Sequence, residues 1–146
     1  MPIDTSGKRW KGQDFDDLAE YIRVYTEEGY PAERVAQSVC ACGQTAFQLW
    51  VDEDEGCARR RCVACGAEAF IGDSEEYWEE AEPKKVRCQC RHDVFEIAVG
   101  FSLREDEDDE VKWITVGERC VKCGVLGSAV DWKIDYSSSA QLLAQV

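Results

Sequence analysis

The stretch VCACGQTAFQLWVDEDEGCARRRCVACG, Val39 to Gly66, decides how the whole chain folds. It opens on a Cys-x-Cys pair, passes through an alternating apolar segment and an acidic turn, and closes on a Cys-x-x-Cys pair. The same order returns downstream, where RCQCRHDVFEIAV (Arg87 to Val99) opens a second unit and RCVKCG (Arg119 to Gly124) closes it. At a shift of 48, Cys40, Cys42, Phe47, Leu49 and Val51 fall on Cys88, Cys90, Phe95, Ile97 and Val99. At a shift of 58, Arg61, Cys62, Val63, Cys65 and Gly66 fall on Arg119, Cys120, Val121, Cys123 and Gly124. The extra residues of the second unit therefore lie between its two cysteine pairs. Repetition of this kind means one structural unit used twice.

Paired cysteines at these spacings suit a tetrahedral ion, because two short knuckles can each present two thiolates at about 2.3 Å from one zinc. A glycine follows the second cysteine at Gly43, Gly66 and Gly124, where a tight turn needs positive φ. Arg91 stands at the fourth such corner. Phe47 to Val51 and Val94 to Val99 alternate apolar and polar residues as strands do. Asp52 to Gly56 and Glu105 to Glu110 are then hairpin turns, and Val111 to Val116 is the return strand of the second unit. Ala67 to Ile71 and Ser128 to Tyr136 are candidate third strands.

These residues resemble the zinc-ribbon superfamily, in which two cysteine knuckles joined by a hairpin are completed by a third strand. The resemblance covers residues 39–72 and 87–136 and implies two zinc ions, one on Cys40, Cys42, Cys62 and Cys65 and one on Cys88, Cys90, Cys120 and Cys123. One knuckle of each unit is Cys-x-Cys where most ribbons have Cys-x-x-Cys. Iron in a rubredoxin-like four-sulfur site is the nearest rival ion, since tetrahedral sulfur suits either. Spacing alone leaves open a site that crosses between units. Cys57 is the leftover thiol; the repeat aligns it with Thr115, so it is expected to pack in a strand. Arg59 to Arg61 beside it would be the electropositive setting that a reactive thiol needs. His92, the one histidine, is expected at the surface.

The flanks supply the rest of a small, metal-stabilised α+β fold. Phe15, Leu18, Ala19, Ile22 and Tyr25 recur at helical spacing, with Asp14 as cap and Gly29 as stop. Pro31 is positioned to begin a second short helix through Val35 and Ala36. Asp73 to Glu82 reads as an acidic helical linker, and Ala140 to Val146 as a short final helix. The resulting divisions are an N-terminal helical segment (1–38), two ribbon-like units (39–72 and 87–136) joined by the linker (73–86), and a tail (137–146).

With 146 residues the chain is one compact domain or two small ones. A net charge of −13, from 17 basic against 30 acidic residues, argues against general nucleic-acid binding and fits a basic protein partner. Two four-thiolate zinc sites would take that charge to about −17. No apolar signal segment and no long apolar span is present, so a reducing cytoplasm is the expected compartment and nine cysteines read as ligands before disulfides. A single histidine, no phosphate-binding glycine loop and sites closed by four thiolates make catalysis a poor reading.

Three functions follow. The first is a non-catalytic zinc protein that binds a basic partner through an acidic face, as an inhibitor or immunity-type protein masking a nuclease would. The second is nucleic-acid binding through Arg59 to Arg61, Lys84, Lys85, Arg87 and Arg91, with Trp50 or Trp113 for stacking. The third is a redox switch, since Cys88, Cys90, Cys120 and Cys123 resemble the zinc centre of redox-regulated heat-shock chaperones, in which oxidation ejects the metal.

Overall fold

The computed structural model describes residues 3–5, 7, 10–104, 107–134 and 139–146, with backbone only at 107–109 and 140. Helix α1 spans Phe15–Thr26. The strands are β1 (Arg34–Gln37), β2 (Phe47–Asp52), β3 (Cys57–Cys62), β4 (Glu68–Phe70), β5 (Lys84–Lys85), β6 (Phe95–Arg104), β7 (Glu107–Cys120) and β8 (Leu126–Lys133). The helix starts where its sequence says: the Asp14 carboxylate accepts the Asp17 N–H at 3.0 Å. It ends at Thr26, short of the expected stop at Gly29, and the Thr26 hydroxyl donates to the Ile22 carbonyl and accepts the Ala32 N–H. No helix is long and apolar enough to cross a membrane among the described residues.

All eight strands join one antiparallel sheet, ordered β4-β3-β2-β6-β7-β8, with β1 added on β6 and β5 on β2. The order is a palindrome of the sequence repeat. At its centre Phe47 pairs with Phe95, two residues that the shift of 48 makes equivalent. Antiparallel pairing of equivalent residues places a local two-fold axis between them. Outward from it the registers correspond: Phe47↔Cys62 and Phe95↔Cys120, then Arg61↔Glu68 and Arg119↔Leu126.

The lead-in strands obey the same axis by crossing over. β1, which precedes the first unit, pairs with the second unit's β6, as Gln37↔Ala98; β5, which precedes the second unit, pairs with the first unit's β2, as Lys85↔Trp50. The bonds that follow are equivalent too, Ser38 N–H to the Ile97 carbonyl at 3.0 Å and Val86 N–H to the Leu49 carbonyl at 2.8 Å. Each half thus donates a strand to the other. The expected helix at Val35 and Ala36 is corrected to β1: the open edge of β6 gives these residues ladder bonds that a single isolated helical turn cannot match. The linker has no α-helix either, only 3-10 turns at Ser74–Glu76 and Trp78–Glu80, and the tail holds another at Ala140–Ala144. Asp135 to Ser138, and Glu105 and Asp106 of the expected turn, lie outside the described residues, and the rest of that turn, from Glu107, is corrected to strand β7.

One sheet face buries Phe47, Leu49, Ile97, Val99, Phe101, Ile114, Val116, Val130 and Trp132 together. The other face, on the second unit only, receives α1. Leu18 and Ile22, both fully buried, pack there on Ala98 and Leu126, at about 1.5–3 kcal/mol per buried side chain. Close docking needs glycine: a Cβ at Gly117 would stand 2.2 Å from Ile22 Cδ1. The first unit has Trp50 and Arg59 where the second has Ala98 and Gly117, and Arg59 lies over the Trp78 ring at 4.7 Å. Bulk on that face keeps a helix away.

Gly117→Ala should therefore destabilise the protein by about 1–3 kcal/mol in denaturant titration, with partial rescue by Ile22→Val. Unchanged stability in Gly117→Ala would mean that α1 does not rest on this strand.

Candidate metal centres

Each cluster is assembled from two hairpin ends. In the first, Cys40 and Cys42 come from the turn before β2, Cys62 ends β3 and Cys65 lies in the turn beyond it; Cys88, Cys90, Cys120 and Cys123 occupy the corresponding places. Within each quartet the four Sγ atoms all lie within 4.8 Å of one another. The shortest approaches are Cys40–Cys65 at 3.5 Å, Cys42–Cys62 at 3.6 Å, Cys88–Cys123 at 3.3 Å and Cys90–Cys120 at 3.6 Å. A regular tetrahedron around zinc with bonds of about 2.3 Å has edges of about 3.8 Å, so both quartets match a four-sulfur shell. All nine cysteines are free thiols. The sites form within units, not across them.

The corners are shaped for this task. Gly43, Gly66 and Gly124 have φ of 94°, 76° and 81°, and Arg91 takes φ 75° despite its side chain. The four corners then make matching turn bonds: Gly43 N–H to the Cys40 carbonyl and Arg91 N–H to the Cys88 carbonyl, both 2.8 Å, and Gly66 to Cys62 and Gly124 to Cys120 at 3.0 and 2.9 Å. The glycine missing at the fourth corner does not open the turn.

Backbone N–H groups in these turns also point at sulfur. Those of Cys65 and Ala64 outweigh burial and bring the Cys62 thiol down to about 6; that of His92 does the same for Cys90, down to about 7. Burial pushes Cys88 up to about 12 and raises Cys120 as well. At Cys42 the Gln44 N–H pulls downward, but hydrogen bonds with Cys40 and Cys62 outweigh it, and the thiol rises to about 12. The pattern is electrostatic: once one sulfur of a quartet is a thiolate, its neighbours hold their protons. A divalent cation removes that conflict by letting all four ionise.

Cys57 takes no part. It is fully buried in β3, and burial with the nearby Asp52 and Glu55 carboxylates pushes its thiol up to about 11. The adjacent arginines do not activate it, because their side chains go elsewhere: Arg59 onto Trp78 and Glu68, Arg60 over the Phe47 ring at 4.6 Å and onto the Val146 carbonyl. His92 is half-buried beside the second quartet without entering it. Of the proposed stacking residues, Trp50 has Lys85 over its ring at 5.5 Å and Trp113 stacks on Tyr30 at 4.3 Å. Sequence reasoning missed the crossing β1 and β5, which position each quartet's first pair; equivalent residues there, Gln37 and Lys85, share no chemistry that would expose the repeat.

Together these features define a small α+β protein, an N-terminal helix on an antiparallel sheet, with two four-cysteine sites compatible with two metal ions. No family model, curated protein or solved structure matches the chain.

Removing the metal with a strong chelator should unfold one or both clusters, seen as loss of β-sheet circular dichroism, since a structural zinc contributes about 10–16 kcal/mol of apparent binding free energy. Cys62→Ser and Cys120→Ser should each cost one bound ion. Cys57→Ser should retain both ions, and Cys57 should resist alkylation in the folded protein. Retained structure after chelation would contradict the metal assignment.

Proposed function

We propose that this chain is a non-catalytic protein of zinc-ribbon type, in which two zinc ions hold a duplicated sheet and an acidic surface docks a basic protein partner. An inhibitor or immunity-type protein that covers the basic site of an enzyme such as a nuclease fits this description. Four thiolates per ion leave no open coordination position, which supports a structural rather than a catalytic role.

The observation that carries the reading is the meeting of two acid runs far apart in sequence. The Asp52 carboxylate ties them, accepting the Asp54 N–H at 2.8 Å from its own turn and the Glu82 N–H at 2.8 Å from the linker. The amides of Glu82 first, then of Glu55 and more weakly of Asp54, hold Asp52 below the usual carboxylate range. The concavity between the runs, about 480 Å³, is lined by Asp52, Glu53, Asp54, Glu55, Glu80 and Glu82, with Lys84 the one cation among its described residues. Glu75, Glu76 and Glu79 are exposed on the same linker. Such a patch focuses a negative field that speeds encounter with a basic surface.

Affinity capture with the metal-loaded protein should recover a basic protein, and added salt should weaken the complex. Glu79→Lys combined with Glu80→Lys should slow association about tenfold while changing dissociation little. A partner that binds equally well in high salt and to the charge-reversed protein would overturn the proposal.

A further inference from the structure

Two cavities follow one another along β8, and the second shares Glu53 with the acid-lined concavity. The first, about 430 Å³, is walled by Trp10, Tyr21 and Tyr25 over Leu126 and Gly127, and Glu118 completes it. The Trp10 and Tyr21 rings meet at 76° with centroids 6.0 Å apart, so two aromatic walls stand nearly at right angles; Tyr25 stacks on Tyr21 at 5.9 Å. Gly127 leaves room for the carboxylate, since a Cβ there would stand 2.6 Å from Glu118 Oε1. Tyr25 and Ser128 are shared with a second cavity of about 200 Å³, which adds Glu53 and Ala129 to Asp131.

Ser128, Ala129, Val130 and Asp131 are consecutive, and β8 bulges among them, Val130 and Ser128 pairing with the successive residues Val116 and Gly117 of β7 while Ala129 is passed over. The cavity lined by all four opens beside this bulge. The Trp10 to Gly12 segment covers only the beginning of the outer edge of β8, through Leu126 N–H to the Trp10 carbonyl and Gly12 N–H to the Gly124 carbonyl, both 2.8 Å. Beyond it no further strand pairs with β8 among the described residues. Such an edge offers backbone groups to an incoming strand.

We propose that this edge groove is where the basic partner docks, by laying an extended segment bearing lysine or arginine along β8 and seating one cationic side chain between Trp10, Tyr21 and Tyr25. The proposal rests on the acidic-surface reading and gives it a location. The occupant's charge follows from the lining: aromatic faces attract cations, Glu53 and Asp131 are exposed carboxylates, and neither of the two cavities has a Lys or Arg among its described residues. An extended conformation follows from the edge.

The test uses the metal-loaded full chain and a fluorescent peptide of alternating lysine and threonine, with the glutamate counterpart as control, at physiological salt. The lysine peptide should bind and the glutamate peptide should not. Tyr25→Ala and Asp131→Lys, both at exposed positions and each verified by its two-ion content, should weaken binding about tenfold. Amides of Ser128 to Asp131 should shift and gain exchange protection on binding. Affinity unchanged in both variants, no response at these amides, or no binding of the lysine peptide at all would overturn the proposal. If Glu79→Lys with Glu80→Lys abolishes binding while Tyr25→Ala leaves it intact, the edge site falls and the acidic-surface reading survives.

Discussion

Four sulfur atoms confined within 4.8 Å of one another cannot all carry charge unless a cation sits among them, and the knuckle ends of both hairpins are built on that constraint. The turns at the cysteine knuckles contribute backbone N–H groups that stabilise the first thiolate, at Cys62 and at Cys90, while the remaining sulfurs hold their protons. In the reading proposed here zinc completes each quartet and thereby fixes the ends of β2, β3, β6 and β7.

From the two quartets inward, the structure is organised by the axis between Phe47 and Phe95. The halves do not simply follow one another. Each sends its lead-in strand onto the other's first hairpin strand, so the halves share one sheet and the core on one of its faces. Departures from the symmetry carry the individuality of the chain. Small residues at Ala98, Gly100 and Gly117 admit α1 to one half, while Trp50 and Arg59 exclude a helix from the other. The longer hairpin of the second half extends β6 and β7, and the acidic linker folds against the shorter hairpin of the first.

Much of this was legible in the sequence because metal ligands must be spaced for one ion. The knuckle pairs and the hairpin strands follow from that spacing and its repetition; the grouping of the ligands within units and the passivity of Cys57 were left open by spacing and were decided by the fold. Helix α1 followed from the periodicity of Leu18 and Ile22. What was illegible depends on partners distant in sequence. Val35 and Ala36 looked like the start of a helix because Pro31 permits one, and only the open edge of β6 makes them a strand. Nor does any local signal tell that Asp52 would tie the first hairpin turn to Glu82, or that Ser128 to Asp131 would form an edge flanked by Tyr25. Composition showed the acidity but not its convergence.

The most direct test of the central claim is X-ray absorption at the metal edge of the purified, folded protein. The account predicts a zinc edge and, at both sites, a single shell of four sulfur scatterers at about 2.3 Å. A shell containing oxygen or nitrogen, fewer than four sulfurs, or a folded protein with no bound metal would contradict it.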